Sequence, residues 1–147
     1  MSDLQITIVD WAATPALRRI RQAVFVEEQQ VPADLEWDER DPDATHFMMS
    51  VDGVEVGTAR LLADGHIGRV ALLPAVRGKG FGQALMHAVM NHAQQIGIPR
   101  LELSAQTHAL GFYQLLGFVV CSDEYLEAGI PHRSMCWPEA SPASDNC

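Results

Sequence analysis

The segment Leu72-Leu73-Pro74-Ala75-Val76-Arg77-Gly78-Lys79-Gly80-Phe81-Gly82 places three alternate glycines beside two cations. Glycines accept positive φ and let a ligand approach the backbone closely. Helical periodicity begins directly afterwards, so the loop delivers the unpaired N–H groups and positive dipole end of a helix. A pyrophosphate is the guest such a loop suits. A nucleotide P-loop needs Ser or Thr after Gly-Lys, and here Gly80 follows Lys79. A dinucleotide fingerprint starting at Gly78 needs glycine where Gln83 stands, and a parallel βαβ sheet around it. The bland reading is a turn without a ligand; Arg77 and Lys79 at a helix start weigh against it.

The flanking elements decide what this loop can serve. Leu4 to Val9 alternates apolar and polar residues and predicts a strand. Thr14-Pro15 reads as N-cap and first helical residue, and Leu17, Ile20 and Val24 continue a helix to about Glu28. Residues 31–43, rich in acids and proline, read as loop with at most a short helix. Strands follow over 45–51, 54–63 and 67–73, joined at Asp52-Gly53 and Asp64-Gly65, two hairpin signals that imply an antiparallel meander. Phe81, Leu85, Val89, His92 and Ile96 form one stripe of a helix that Gly97 and Pro99 end. Leu101, Leu103 and Ala105 alternate as a strand. Ala109, Phe112 and Leu116 share a helix face, with Gly117 as its C-terminal cap. A strand restarts at Phe118 to Cys121, is interrupted near Gly129-Ile130-Pro131, and a last one runs from Arg133 to Trp137.

Length and composition bound the class. One domain over residues 1–138 accounts for the periodic part of the 147 residues, and 139–147 read as a disordered tail. Apolar residues make up 48% and charged residues 20%, a globular balance. A net charge of −9 argues against nucleic acid as a partner. No apolar run reaches membrane-span length, and the N-terminus lacks the pattern of a signal peptide, so a cytoplasmic location is expected. Cys121, Cys136 and Cys147 have no metal-ligand spacing and read as reduced thiols, without structural metal.

Arg77, Gly80 and Gly82 form an Arg-x-x-Gly-x-Gly pattern that resembles the acyl-CoA signature of the GNAT N-acetyltransferase superfamily. Ala109, Phe112, Tyr113, Gly117 and Phe118 resemble a second segment of that family, and the element order is similar throughout. Val24 to Pro32, Leu103 to Gln106 and Tyr125 to His132 resemble its ElaA/YjcF-like branch. The resemblance covers most of residues 1–137. It implies an α/β (α+β) fold: a mixed, mostly antiparallel sheet flanked by helices, whose fourth and fifth strands run parallel and splay apart around acyl-CoA.

The same resemblance implies acetyl-CoA as cosubstrate and direct attack on its thioester by a primary amine of a small molecule or peptide. Phosphates would meet Arg77, Gly78, Lys79, Gly80, Phe81 and Gly82. Pantetheine would pair with the backbone of Val70, Ala71 and Leu72, an N–H near Leu72 serving the thioester oxygen. Gln106 stands where many members carry a cofactor-contacting asparagine. Tyr113 takes the general-acid position: a phenol of reference pKa ~10 holds its proton at neutral pH, above a thiol of ~8.5. For the base, Glu28 and His46 are the candidates. They belong to or adjoin an acidic region with Glu27, Asp34, Glu36, Asp38, Glu39, Asp41 and Asp43, which either attracts a cationic amine or is a solvated loop. His92 reads as a core or boundary residue, and His132 as either an acceptor-pocket or a turn residue. A homodimer is left open. The rival readings are an acyl-CoA-binding module without turnover and a protein–protein module with a purely structural glycine loop.

Overall fold

A computed structural model describes residues 3–29 and 41–138. The acids Asp34, Glu36, Asp38 and Glu39, and the tail 139–147, lie outside the described residues. The sheet is built from β1 (Leu4–Val9), β2 (Thr45–Val51), β3 (Val54–Leu61), β4 (His66–Leu72), β5 (Leu101–Gln106), β6 (Val119–Val120), β7 (Tyr125–Glu127) and β8 (Ile130–Trp137). Its order is β1-β2-β3-β4-β5-β8-β6, with β7 also paired to β8. Every pairing is antiparallel except β4 with β5. This is the mixed, mostly antiparallel sheet with a parallel fourth and fifth strand that the sequence implied.

Alternation on β2 shows how the two layers are assembled. Phe47 and Met49 face one side and pack with Leu85, Met86 and Val89 of α2 (Phe81–Gln95). Met48 faces the other side and packs with Trp11 and with Leu17, Ile20 and Val24 of the first helical segment. Period 2 in the strand and period 3.6 in the helices thus meet on both faces. Each fully buried Leu, Ile or Met contributes about 1.5–3 kcal/mol. The first helix is regular over Pro15–Arg21 (α1) and continues as a π-helical segment over Gln22–Glu28, where Gln29 N–H reaches back to Val24 O at 3.0 Å. Both predicted C-terminal glycines hold: Gly97 and Gly117 have φ of +83° and +97° behind α2 and the short α3 (Leu110–Gln114).

Three expectations change. The interruption placed at Gly129-Ile130-Pro131 is a tight turn at Ala128-Gly129, both with positive φ, and β8 already begins at Ile130. Pro131 is tolerated at the start of a strand, pairing with Leu126 of the three-residue β7. Cys121 and Cys136 are not separate thiols: they form a disulfide. Pairing of Val119 with Cys136 and of Cys121 N–H with Ser134 O brings their Cα atoms to 6.1 Å, within bridging range. Asp41 is not a solvated loop acid. It is 1% exposed and bonded to Arg21 and Arg60.

Candidate active site

β4 and β5 pair only at His66–Glu102 and Ile67–Leu103, then separate. The divergence begins at a bulge. Between Thr58–Ala71 and Arg60–Gly68, β4 carries one residue more than β3, and Arg69 takes a left-handed φ of +51°. The opening leads into a cavity of about 660 Å3 bordered by Gly68, Arg69 and Val70 on one strand and Ser104, Ala105 and Gln106 on the other. The helical residues Phe25 and Tyr113 line it as well, as do Glu127 and His132 from the β7–β8 hairpin.

The glycine loop lies at the start of α2. Gly78 and Gly80 have φ of +76° and +83°, and a Cβ on either would meet nothing within 4 Å. Gly80 caps α2 without any side-chain bond, so the first turn presents its N–H groups outward. Lys79 is exposed beside it. Gly82 differs: a Cβ there would stand 3.2 Å from the Phe112 ring, so this glycine sets the approach of α3 to α2. Arg77 is already engaged. Its Nη atoms donate to both Glu28 oxygens at 2.7 Å, and its Nε donates to Leu72 O at 2.9 Å. The Arg77 hydrogen bond holds the Glu28 carboxyl below its usual range, and Glu28 raises Arg77 in return.

Val70 borders the cavity, while Ala71 is buried beneath α1 and Leu72 is half-buried. Gln106 also borders it, its amide donating to Gln29 Oε1 at 2.8 Å. Phe81 packs against the main core. Burial pushes the Tyr113 hydroxyl up to about 12, and among the described residues it has no hydrogen-bond partner. Neither candidate base reaches the cavity wall. Glu28 is paired with Arg77. His46 is buried, stacked on Trp11 with ring centroids 4.9 Å apart, and its Nε2 lies 2.7 Å from Asp41 O. Desolvation lowers its pKa despite the nearby Asp41. His92 is a boundary residue, edge-on to Phe47.

The sequence reading missed several cavity residues. Arg60 and Arg69 border it, as do His66 and His108, so its described wall holds more basic than acidic side chains. His66 is desolvated, but the carboxylates of Asp64 and Glu102 outweigh that and raise its pKa. Ser104, Tyr125 and Glu127 form a hydroxyl–carboxylate cluster on the far wall. A sequence signal existed for that wall: Tyr-x-Glu before a glycine turn alternates toward one face. Among the described residues, one group has metal-ligating spacing, Glu102 with Cys121 and Cys136, and its two sulfurs are joined to each other.

A splayed parallel pair with a glycine-capped helix at one end defines an acyl-CoA-dependent transferase fold. The chain belongs to the GNAT acetyltransferase family, whose domain model matches residues 11–138, and is an enzyme of that N-acetyltransferase type. The N-acetyltransferase YjcF of Bacillus subtilis is 38% identical over 120 residues, covering 79% of this chain and 86% of that one. An acyl-CoA N-acyltransferase crystal structure from Pseudomonas aeruginosa superposes with a TM-score of 0.82 at 35% identity, covering 91% of this chain and 99% of the other. The crystal structure of Escherichia coli ElaA gives 0.81 at 31%, covering 92% and 99%. Among the described residues, no helix is long and apolar enough to cross a membrane.

Proposed function

We propose that the protein moves an acetyl group from acetyl-CoA to a primary amine of a small molecule or peptide, by direct attack of the amine on the thioester. One observation carries this reading. β4 and β5 part beyond Ile67–Leu103, Tyr113 lines the cavity between them, and β4 leads through the glycine loop into the Gly80-capped start of α2. Bound acetyl-CoA supplies the activated acetyl thioester. Gly78, Lys79, Gly80, Phe81 and Gly82 hold its phosphates by backbone N–H groups and one ammonium. Free edges of Val70, Ala71 and Leu72 orient the pantetheine arm, and a main-chain N–H near Leu72 polarises the carbonyl.

Tyr113 holds a proton at every working pH, because its pKa is raised to about 12. That same shift makes full transfer to a thiolate uphill against an ordinary thiol at ~8.5. Tyr113 therefore acts by donating a hydrogen bond to sulfur as charge builds there and keeps its own proton, while the thiol gains the proton that the nitrogen sheds on becoming an amide.

Acetyl-CoA at 100 times its dissociation constant should raise native stability by about 2.7 kcal/mol, read as a higher melting temperature. Turnover of an amine panel, followed as free thiol, separates an enzyme from a module that only binds. Tyr113→Phe should lower kcat about 10- to 100-fold while acetyl-CoA affinity stays within about threefold. An unchanged kcat under chemistry-limited conditions makes Tyr113 a packing residue.

A further inference from the structure

We propose that His132 is the general base for the acceptor amine, with Glu127 stabilising the imidazolium that results. This rests on the acetyl-transfer reading above. His132 is 6% exposed on β8, opposite Gln106 of β5, and its ring borders the cavity. Its Nδ1 lies 2.6 Å from Ile130 O. A carbonyl oxygen can only accept, so the neutral ring carries its proton on Nδ1 and its lone pair on Nε2. The other ring nitrogen lies 3.4 Å from Glu127 Oε2. Two acceptors face each other there until Nε2 gains a proton, and the contact then becomes an ion pair. The turn at Ala128-Gly129, with φ of +51° and +77°, folds Glu127 back over His132, and Tyr125 stacks on the imidazole with planes 20° apart.

Among the described residues, the other titratable groups around the cavity and this ring come from several elements. Tyr125 and Glu127 lie on β7, His108 follows β5, and Tyr113 lies on α3; Arg60, His66 and Arg69 border the cavity from β3 and β4. An imidazole nitrogen that carries a lone pair can take the proton of an alkylammonium acceptor. The step balances simply. His132 takes one proton from the ammonium and passes it to solvent. The freed nitrogen lone pair forms the C–N bond as the C–S bond breaks, the electron pair leaving on sulfur. The proton that nitrogen sheds on becoming an amide balances the one that sulfur gains as a thiol.

The test uses the full chain, acetyl-CoA and the best acceptor from a panel of alkylamines, amino acids and lysine peptides. His132→Gln and His132→Ala should each lower kcat/KM at pH 7 by about 10²–10³-fold, with the acetyl-CoA KM unchanged. The acid limb of the wild-type profile should disappear, and added imidazole should partly restore His132→Ala. Glu127→Gln should cost about tenfold in kcat/KM with the acetyl-CoA KM unchanged, because the imidazolium loses its counter-charge. Nitrogen-15 NMR of the wild-type histidines should show His132 protonated at Nδ1. Wild-type rate and acid limb in His132→Gln would overturn the base while leaving acetyl transfer standing. An Nε2-protonated neutral ring overturns it as well, even where His132→Ala fails to fold. A wild type that binds acetyl-CoA but acetylates no amine overturns the acetyl-transfer reading and the base together.

Discussion

Two arginine–carboxylate networks differ in almost everything but chemistry. Arg21 and Arg60 both donate to Asp41 Oδ1, at 2.9 and 3.0 Å, with side chains 1%, 7% and 1% exposed for Arg21, Arg60 and Asp41. Arg77 and Glu28 meet at 2.7 Å with better bidentate geometry, yet are 39% and 41% exposed. Burial removes the competing water, so losing the carboxylate of the first network leaves two guanidiniums desolvated. Solvent stands ready to replace either partner of the second. The first network therefore fixes the segment before β2 against β3 and α1. The second is open to exchange of partners, and it stands beside the loop where phosphate would arrive.

The contrast is easiest to break at Asp41. Asp41→Ala should destabilise the fold by about 3–5 kcal/mol in urea unfolding. A loss below about 1 kcal/mol would mean that the buried triad behaves like a surface pair.

A smaller effect comes from pH. His46 packs against the buried network and its pKa is lowered, so the native state prefers it neutral. The unfolded chain binds the extra proton first, near pH 6.5. Stability from His46 is thus present above about 6.5 and declines as pH falls toward the lower native value. Unfolding at pH 7.5 and 5.5 should show this decline in the wild type and a shallower one in His46→Gln. His66 carries the opposite sign. Its raised pKa gives stability that is full below about 6.5 and lost as pH rises through the native value.

The smallest expected effect sharpens the exposed side. Glu28→Gln should change stability by less than about 1 kcal/mol. It should tighten acetyl-CoA binding by about threefold, because a carboxylate no longer competes for Arg77. Weaker binding would instead make the pair a strut that the loop needs.

These regions were unequally legible in the sequence. Gly78 and Gly80 could be read because their requirement is local: a positive φ, open space and a helix directly afterwards. The β4–β5 gap was legible only through resemblance, since a bulge at Arg69 leaves no mark in residue type; an arginine in the left-handed region is not what turn chemistry predicts. Asp41 looked like one more acid in an acidic loop, because its partners stand 20 and 19 positions away. The same holds for Cys121 and Cys136, which meet only once β6 has returned to β8. Ala128-Gly129 escaped as a hairpin because alanine is rare at the first position of such a turn. What the sequence hid were contacts between distant segments and conformations that the residue type disfavours.

Gly82 bears on the length of the site as well as its backbone. Because no Cβ stands between α2 and the Phe112 ring, the helix whose first turn is offered to phosphate and the helix that carries Tyr113 touch directly. The loop proposed to receive phosphate and the helix proposed to face sulfur are thereby spaced by one aromatic ring. A methyl group added at Gly82 would press on the Phe112 ring, and α3 would have to give by a few tenths of an ångström relative to the loop.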